Sequence, residues 1–333
     1  MNSAPDPAAA HDAIQAEVSK VLIGNEAVVE RLTISLLTGG HVLLEGVPGV
    51  AKTTTAELFA RATGLDFGRI QLTPDTLPAD ITGTTVYREQ TGEFETQLGP
   101  VFTNVVVADE INRSTPKTQS ALLEAMQERQ VTINGETRSL PEPFLVVATQ
   151  NPIEMEGTFE LPEAQRDRFQ FKIDIGHLER DDELALLDRF DEQPTLSSRV
   201  IEPVLTPAEI KRLTNTVNTV YVGTPVKTYL LDVVAATRDH SAVTHGGSPR
   251  ATLTFQRAVK ARAAIQGRGY VLPDDVKALA ASVLAHRLVL ETEATLSGVA
   301  PRDIIADILD SVEPPSAEAV RQARATADGV ESI

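Results

Sequence analysis

The chain has 333 residues, 42% hydrophobic and 23% charged, which is enough for two folded domains and excludes a disordered chain. Thirty basic and 47 acidic residues give a net charge of −17, which disfavours sequence-independent binding to a nucleic-acid backbone. The absence of Cys excludes disulfides, thiolate metal sites and a Cys nucleophile. Because the N-terminus lacks the apolar core of a signal peptide and no apolar run reaches about 18 residues, we expect a cytoplasmic protein without a membrane span.

Strand and helix patterns alternate through the first half of the chain. Residues 1–11 are rich in Pro and Ala and are expected to be disordered, whereas helical spacing starts at residue 12 and recurs over 26–37. Five short apolar runs are typical of buried parallel strands: HVLLEG at 41–46, RIQL at 69–72, VVVAD at 105–109, FLVVAT at 144–149 and FQFKIDI at 169–175. Helices are predicted between them over 53–63 and 114–128, the latter with Ser114 as its N-cap. This alternation predicts an α/β fold, a parallel sheet sandwiched by helices.

Two segments depart from the alternation and predict β-hairpins. Residues 85–99 have a turn signal at 90–92, and residues 130–140 contain Asn134-Gly135, a strong hairpin signal.

After Gly176 the pattern becomes helical. The predicted helices cover 179–190, 207–217, 224–239, 253–266, 273–290 and 302–309. The polar stretch 191–206 contains two Pro and is predicted to be a linker. We therefore expect an α/β domain over 12–177, a smaller all-helical domain over 207–312 and a tail over 313–333.

A segment between a predicted strand and a predicted helix has the pattern of a phosphate-binding loop. Its residues are Gly46, Val47, Pro48, Gly49, Val50, Ala51, Lys52 and Thr53. Backbone N–H groups and the helix N-terminus can cradle phosphates there, with Lys52 reaching the β- and γ-phosphates and the Thr53 hydroxyl binding Mg²⁺. The alternative is an ordinary strand-to-helix turn, but a Lys at a helix start opposes the helix dipole unless an anion is present.

Polar side chains follow two predicted strands at their carboxyl ends, where ligands bind in open α/β sheets. Asp109 is predicted to hold Mg²⁺ through water, and Glu110 to orient or deprotonate the attacking water. Asn151 can bond the γ-phosphate or that water. The alternatives are solvated acids in a strand-end loop and an Asn-Pro turn.

Arginines provide candidates for neutralising charge on the transferred phosphoryl group. Arg168 in EAQRDRF is the favoured candidate, and in an oligomer a neighbouring subunit could provide this Arg. Arg113 and Arg166 are the alternative candidates. Arg250, near a helix start in the second domain, can clamp phosphates from there. In each case the alternative is an ordinary surface Arg. The six His form no metal-ligand pair, and no nucleophile-elbow pattern is present.

Several long segments closely resemble the MoxR family of AAA+ ATPases from about residue 14 to the early 290s. They are GVPGVAKT, RIQLTPDTLPADITG, VVVADEINRSTPKTQSALLEAMQERQVTING, FLVVATQNPIEMEGTFELPEAQRDRF and GGSPRA. Ala51, where the general loop pattern has Gly, is usual for this family. Arg166 is a mild departure, since the family usually has an apolar residue there.

The resemblance assigns roles to individual residues. It implies that Ile23 and Gly24 line the adenine pocket and that Lys52, Thr53 and Thr54 belong to Walker A. Asp109 and Glu110 match Walker B, and Asn151 matches sensor 1. Arg168 corresponds to the arginine finger and Arg250 to sensor 2, and the second domain corresponds to the AAA+ lid. The two hairpins resemble insertions of this AAA+ branch.

The resemblance also implies a function. Such proteins bind ATP and Mg²⁺, form rings that are usually hexamers, and act as chaperones that remodel or activate partner proteins, often ones with a von Willebrand A domain. Two alternatives remain. A ring ATPase acting on nucleic acid is disfavoured by the net charge and by hairpins without interleaved basic and aromatic residues. A nucleotide-gated binding module that hardly hydrolyses ATP is disfavoured by the presence of Glu110.

Overall fold

The computed structural model describes residues 6–90, 92–151, 159–192 and 200–330. They divide into two compact units, one of Ala10–Lys211 and one of Arg212–Ile333 together with Met1–Ala9. The division falls close to residue 207, where the sequence predicts the helical domain to begin. The first helix, α1 (Pro7–Val18), begins inside the segment 1–11 that was expected to be disordered.

The first unit is built on a sheet of five parallel strands. These are β1 (Val42–Glu45), β2 (Phe67–Gln71), β5 (Val105–Asp109), β8 (Leu145–Gln150) and β9 (Phe171–Asp174). Their order across the sheet is β2-β5-β8-β1-β9, and every neighbouring pair is parallel. All residues of β5 and β8 are buried, as expected for central strands covered on both faces. The five apolar runs of the sequence are therefore confirmed as the strands of a parallel sheet.

Helices connect and cover these strands. After α1 they are α2 (Glu26–Thr38), α3 (Lys52–Ala62), α4 (Pro78–Thr82), α5 (Pro116–Glu128), α6 (Glu163–Arg166) and α7 (Arg180–Glu192). The five-residue α4 has no counterpart in the sequence prediction. The predicted N-cap of α5 at Ser114 is wrong: Thr115 is the N-cap, because Pro116 occupies the first helical position. Ser114 is buried, and its hydroxyl donates to Ile111 O at 2.9 Å.

Both predicted hairpins are present. β3 (Gly83–Arg88) pairs with β4 (Glu93–Leu98), and β6 (Gln130–Ile133) pairs with β7 (Glu136–Ser139). In the second hairpin, Asn134 and Gly135 have φ values of 49° and 86°, the left-handed conformations that a two-residue turn requires. Val131 and Ile133 of this hairpin are buried in the core cluster of the first unit.

The second unit is mainly helical. Its elements are α8 (Pro207–Asn218), which spans the division, α9 (Thr224–Asp239), β10 (Val243–His245), α10 (Pro249–Ile265), α11 (Pro273–Leu284), β11 (Val289–Leu290), α12 (Thr292–Leu296), α13 (Pro301–Ser311) and α14 (Ala317–Val330).

Two features of this unit differ from the sequence prediction. The predicted helix 273–290 ends at Leu284, because a 3₁₀ turn at Ala285–Arg287 is followed by extended backbone that pairs with β10. The unit is therefore not all-helical. In addition, α14 lies in the predicted tail 313–333. Within the described residues, every helix is too short or too polar to cross a membrane.

Candidate active site

The predicted phosphate loop joins β1 to α3. Gly49 has φ of 92°, and Ala51, immediately before the helix, has φ of 60°. A left-handed residue leading into a helix start arranges successive N–H groups around a concavity that suits an anion. At Gly46 a Cβ atom would lie 2.3 Å from the backbone oxygen of Ile175. The loop therefore needs Gly at that position.

Lys52, the first residue of α3, has its ammonium group inside this loop. Its Nζ donates to Gly46 O, to Val47 O at 3.0 Å and to Asn151 Oδ1 at 3.2 Å. The residue is buried. The ammonium is thus held at the concave side of the loop by acceptors that a phosphate oxygen could replace.

Burial and neighbouring charges act in opposite directions on this ammonium group. Burial lowers the pKa of Lys52 below its usual value, while the carboxylates of Asp109, Glu110 and Glu45 raise it. Burial is the larger effect. The surrounding acids therefore offset part of the cost of burying the cation.

Asp109, at the end of β5, is a buried carboxylate at the centre of a polar cluster. The Thr53 hydroxyl donates to both carboxylate oxygens at 3.1 Å. Thr149 Oγ1 donates to Oδ1 at 2.5 Å, and Arg69 Nη2 donates to Oδ2 at 2.6 Å. One hydroxyl and one carboxylate are hard oxygen ligands of the kind that bind Mg²⁺ together with water and substrate phosphates. The described part of the chain contains no group of three or more His, Cys, Asp or Glu suited to a metal, so protein side chains would supply only part of the coordination here.

Glu110 follows directly and has left-handed backbone, with φ 56° and ψ 51°. Its N–H donates to Thr149 Oγ1 at 2.9 Å. Its Oε1 accepts from Asn151 Nδ2 at 3.1 Å, while its Oε2 accepts from Arg113 Nη1 at 3.1 Å and Gln71 Nε2 at 3.2 Å. The carboxylate is partly exposed, so it is held in place and still accessible to water.

Asn151, the residue after β8, joins the loop to the acids. One amide group bonds both Lys52 and Glu110, through Oδ1 and Nδ2 respectively. Its backbone oxygen accepts from Asn112 Nδ2 at 3.0 Å. The structure therefore brings Lys52, Thr53, Asp109, Glu110 and Asn151 together, as the sequence predicts.

Two adjoining cavities meet at the loop. One of about 380 Å³ is lined by Pro48, Gly49, Val50, Ala51, Lys52, Thr53, Thr54, Asp109, Glu110, Thr149 and Asn151. The other, of about 770 Å³, is lined largely by apolar residues and includes Ile23 and Gly24. Residues 49–51 and Thr54 line both, so the polar and the apolar cavity adjoin at the loop.

Of the predicted arginines of the first unit, Arg113 bonds a residue of the site. Arg113 contacts Glu110, and Arg166 Nη1 lies 3.9 Å from Glu160 Oε1. Arg168 is half-buried and has no side-chain hydrogen bond or ion pair among the described residues. Arg250 is exposed at the start of α10 in the second unit. The roles of Arg168 and Arg250 stay predictions.

Sequence reasoning missed four residues of this network: Arg69, Gln71, Asn112 and Thr149. Arg69 and Gln71 occupy alternate positions of β2, so both point to one face of the sheet. A polar residue at the carboxyl end of a predicted buried strand was an available signal for Gln71 and Thr149.

Comparisons with known proteins agree with this architecture. Residues 41–171 match the ATPase family associated with various cellular activities (AAA), and residues 235–308 match the AAA lid domain. Chaperone MoxR1 of Mycobacterium tuberculosis is 45% identical over 92% of this chain and 82% of its own length. Protein MoxR of Methylorubrum extorquens is 31% identical over 90% of this chain and 93% of its own length.

A solved structure has the same fold. The crystal structure of an inferred ATPase from Cytophaga hutchinsonii superposes with a TM-score of 0.86 and is 42% identical, covering 93% of this chain and 96% of that one. The predicted fold and the predicted family are both confirmed. On its sequence, its sheet and its phosphate loop, the chain belongs to the MoxR family of AAA+ ATPases.

Proposed function

We propose that this protein hydrolyses ATP with Mg²⁺ in a ring of identical subunits, and that hydrolysis drives the remodelling or activation of a partner protein. The observation that carries the proposal is the convergence of Lys52, Thr53, Asp109, Glu110 and Asn151 on the 380 Å³ cavity.

The two adjoining cavities suit ATP by size and chemistry. Small-molecule and cofactor sites typically occupy about 300–1,000 Å³, with apolar walls and a few polar groups. The apolar cavity beside Ile23 and Gly24 suits a nucleobase, and the loop around Lys52 suits the phosphates. Thr53 and Asp109 would hold Mg²⁺, whose positive charge, when bound, stabilises negative charge on the phosphate oxygens.

Three residues of the site have different roles in hydrolysis. Lys52 exchanges the loop carbonyl oxygens for phosphate oxygens and binds them electrostatically. Glu110 orients the attacking water and accepts its proton on a carboxylate oxygen. Asn151 keeps the Glu110 carboxylate and the Lys52 ammonium on the same side of the cavity.

Family membership supports the ring and the partner. We propose a homo-oligomer, a hexameric ring, in which Arg168 of one subunit reaches the phosphates bound by its neighbour and Arg250 of the second unit senses the nucleotide. A related protein is named a chaperone, which supports the remodelling activity. A partner with a von Willebrand A domain follows from the family resemblance.

The proposal is tested by measuring ATP hydrolysis over a range of protein concentrations, with and without Mg²⁺. We expect activity per subunit to rise with concentration, because the site is completed by a neighbouring subunit. We expect Glu110→Gln to lower kcat at least about 100-fold while retaining ATP binding, because the amide cannot accept the proton.

The matched control is Glu124→Gln, on the exposed side of α5, which should hydrolyse ATP normally. Tight ATP binding without hydrolysis at any concentration would contradict the ATPase and indicate a nucleotide-gated binding module. Stimulation by single-stranded DNA, lost at high salt, would contradict the protein partner.

A further inference from the structure

Thr149 is a fully buried polar residue in the central strand β8. β8 runs beside β5 with Ala148 opposite Ala108, so Thr149 lies beside the point where β5 ends at Asp109. It is the polar residue at the carboxyl end of an otherwise apolar run. Its hydroxyl bonds the side chain of Asp109 and the backbone of Glu110, the two acidic residues of the site.

The two hydrogen bonds have opposite direction. Thr149 Oγ1 donates its proton to Asp109 Oδ1 at 2.5 Å and accepts the Glu110 N–H at 2.9 Å. Asp109 also accepts from the Thr53 hydroxyl and the Arg69 guanidinium, as an ionised carboxylate does. The single Thr149 proton is therefore committed to Asp109, and the hydroxyl oxygen is left free to accept from Glu110. Donation to a carboxylate also strengthens the hydroxyl oxygen as an acceptor.

The bond from the Glu110 N–H to Thr149 stabilises an unfavourable backbone conformation at Glu110. Glu110 has φ of 56°, a region that L-residues other than Gly seldom adopt. This conformation turns the chain sharply after β5 and directs the Glu110 carboxylate toward Asn151. Without the Thr149 hydroxyl, the Glu110 N–H would lose this hydrogen-bond partner.

We propose that Thr149 is a positioning residue for ATP hydrolysis, which sets the Asp109 carboxylate and the Glu110 backbone with a single hydroxyl group. The inference rests on the proposed function of Asp109 and Glu110. It requires a side chain that donates and accepts at the same place. Ser meets that requirement, and Val, which has the shape of Thr, does not.

The test compares Thr149→Val with Thr149→Ser and with a matched control, Thr63→Val. Thr63 is equally buried, but its hydroxyl bonds only carbonyl oxygens of its own helix, Phe59 O and Ala60 O. We expect kcat to fall about 10- to 100-fold in Thr149→Val and to stay within about threefold of wild type in Thr149→Ser. Thr63→Val should keep wild-type kcat.

A second measurement separates this inference from the ATPase proposal. The affinity for a fluorescent ATP analogue is measured with and without Mg²⁺. We expect Thr149→Val to reduce the increase in affinity that Mg²⁺ produces by at least about fivefold, because Asp109 loses the hydroxyl that orients it. Affinity without Mg²⁺ should be unchanged. This readout applies even if wild type fails to hydrolyse ATP, a result that would refute the ATPase and leave the role of Thr149 to be decided by binding.

The inference is overturned if Thr149→Val keeps both wild-type kcat and the wild-type Mg²⁺ effect, or if Thr149→Ser is as impaired as Thr149→Val. If Thr149→Val does not fold, Thr149→Ala replaces it, since Ala places no steric demand on the strand. A general loss of stability would lower the melting temperatures of Thr149→Val and Thr63→Val alike, without the selective loss of kcat.

Discussion

Asn112 holds two points of the chain that flank residues 152–158. Its Nδ2 donates to Asn151 O at 3.0 Å, and its backbone oxygen accepts from Phe159 N at 2.5 Å. The side chain is buried, and Gln119 Nε2 adds a bond to Phe159 O at 3.4 Å. Asn151 is therefore fixed through its backbone by Asn112 and through its side chain by Lys52 and Glu110.

We expect Asn112→Asp to lower kcat for ATP about tenfold, because a carboxylate cannot donate to Asn151 O and would repel it. Steady-state hydrolysis and the melting temperature are the measurements. Asn104→Asp is the control: Asn104 is also buried and donates to a backbone oxygen, Pro143 O at 2.8 Å, away from the cavity. Equal loss of kcat in both variants would mean that Asn112 acts only through stability.

Three elements of the second unit are joined by one fully buried carboxylate, Asp275. It accepts from Arg262 Nη1 at 2.6 Å and from Arg268 at 2.6 and 2.7 Å. It also accepts from Leu272 N at 2.8 Å, which caps the start of α11. Asp275 thus links α10, the segment after it and α11.

Asp275→Asn should destabilise the second unit by about 3–5 kcal/mol, because two partly buried guanidinium groups lose their counter-charge. Hydrogen exchange resolved by peptide should show faster exchange in 249–284 and unchanged protection in β5 and β8. The control is Asp274→Asn, the exposed neighbour, with an expected change below about 0.5 kcal/mol. Uniformly faster exchange in both units would contradict this expectation.

The elements were predictable from sequence to unequal degrees. The five parallel strands were found because buried strands read as unbroken apolar runs, and the hairpin at Asn134-Gly135 because its turn demands left-handed residues. The end of α11 at Leu284 and the pairing of β10 with β11 were missed, because strands of two or three residues have no periodicity to read.

The site was predictable where a residue type and its position in an element suffice. Lys52 was predicted from a segment in which a strand is followed by a loop and a helix. Asp109 and Glu110 were predicted from a strand that ends in acidic residues. Thr149 was missed because its role comes from the register of β8 against β5, a contact across 40 residues of sequence. Local patterns contain no information about such a register.

On the scale of the whole chain, His41 gives stability a pH dependence. The ring is fully buried: its Nε2 lies 3.1 Å from Met126 O, and its Nδ1 accepts from Val146 N at 3.0 Å. Burial lowers the pKa of His41 to about 4. This imidazole therefore connects the start of β1, the end of α5 and β8 in its neutral form.

Protonation in the unfolded chain sets the sign of the effect. Between about pH 6.5 and 4 the unfolded state binds a proton at His41 that the folded state does not, so stability falls as pH falls through this window. We expect the free energy of unfolding to decrease by up to about 3 kcal/mol from this residue, measured by urea denaturation at each pH.

The variant His41→Gln should flatten this dependence without abolishing it, because burial also lowers the pKa of His11 and acts with the same sign. An unchanged slope in His41→Gln would assign the effect to other groups.

The strand order of the sheet determines what is lost when the chain misfolds. Lys52 and Asn151 are 99 residues apart in sequence, Thr53 and Asp109 are 56 apart, and they meet because β1, β8 and β5 are neighbours. A short contiguous fragment of the chain therefore cannot contain the whole site. A chain that pairs its strands in another order does not bring these residues together. A nucleotide that binds only the natively paired sheet would therefore stabilise the native topology relative to misfolded forms.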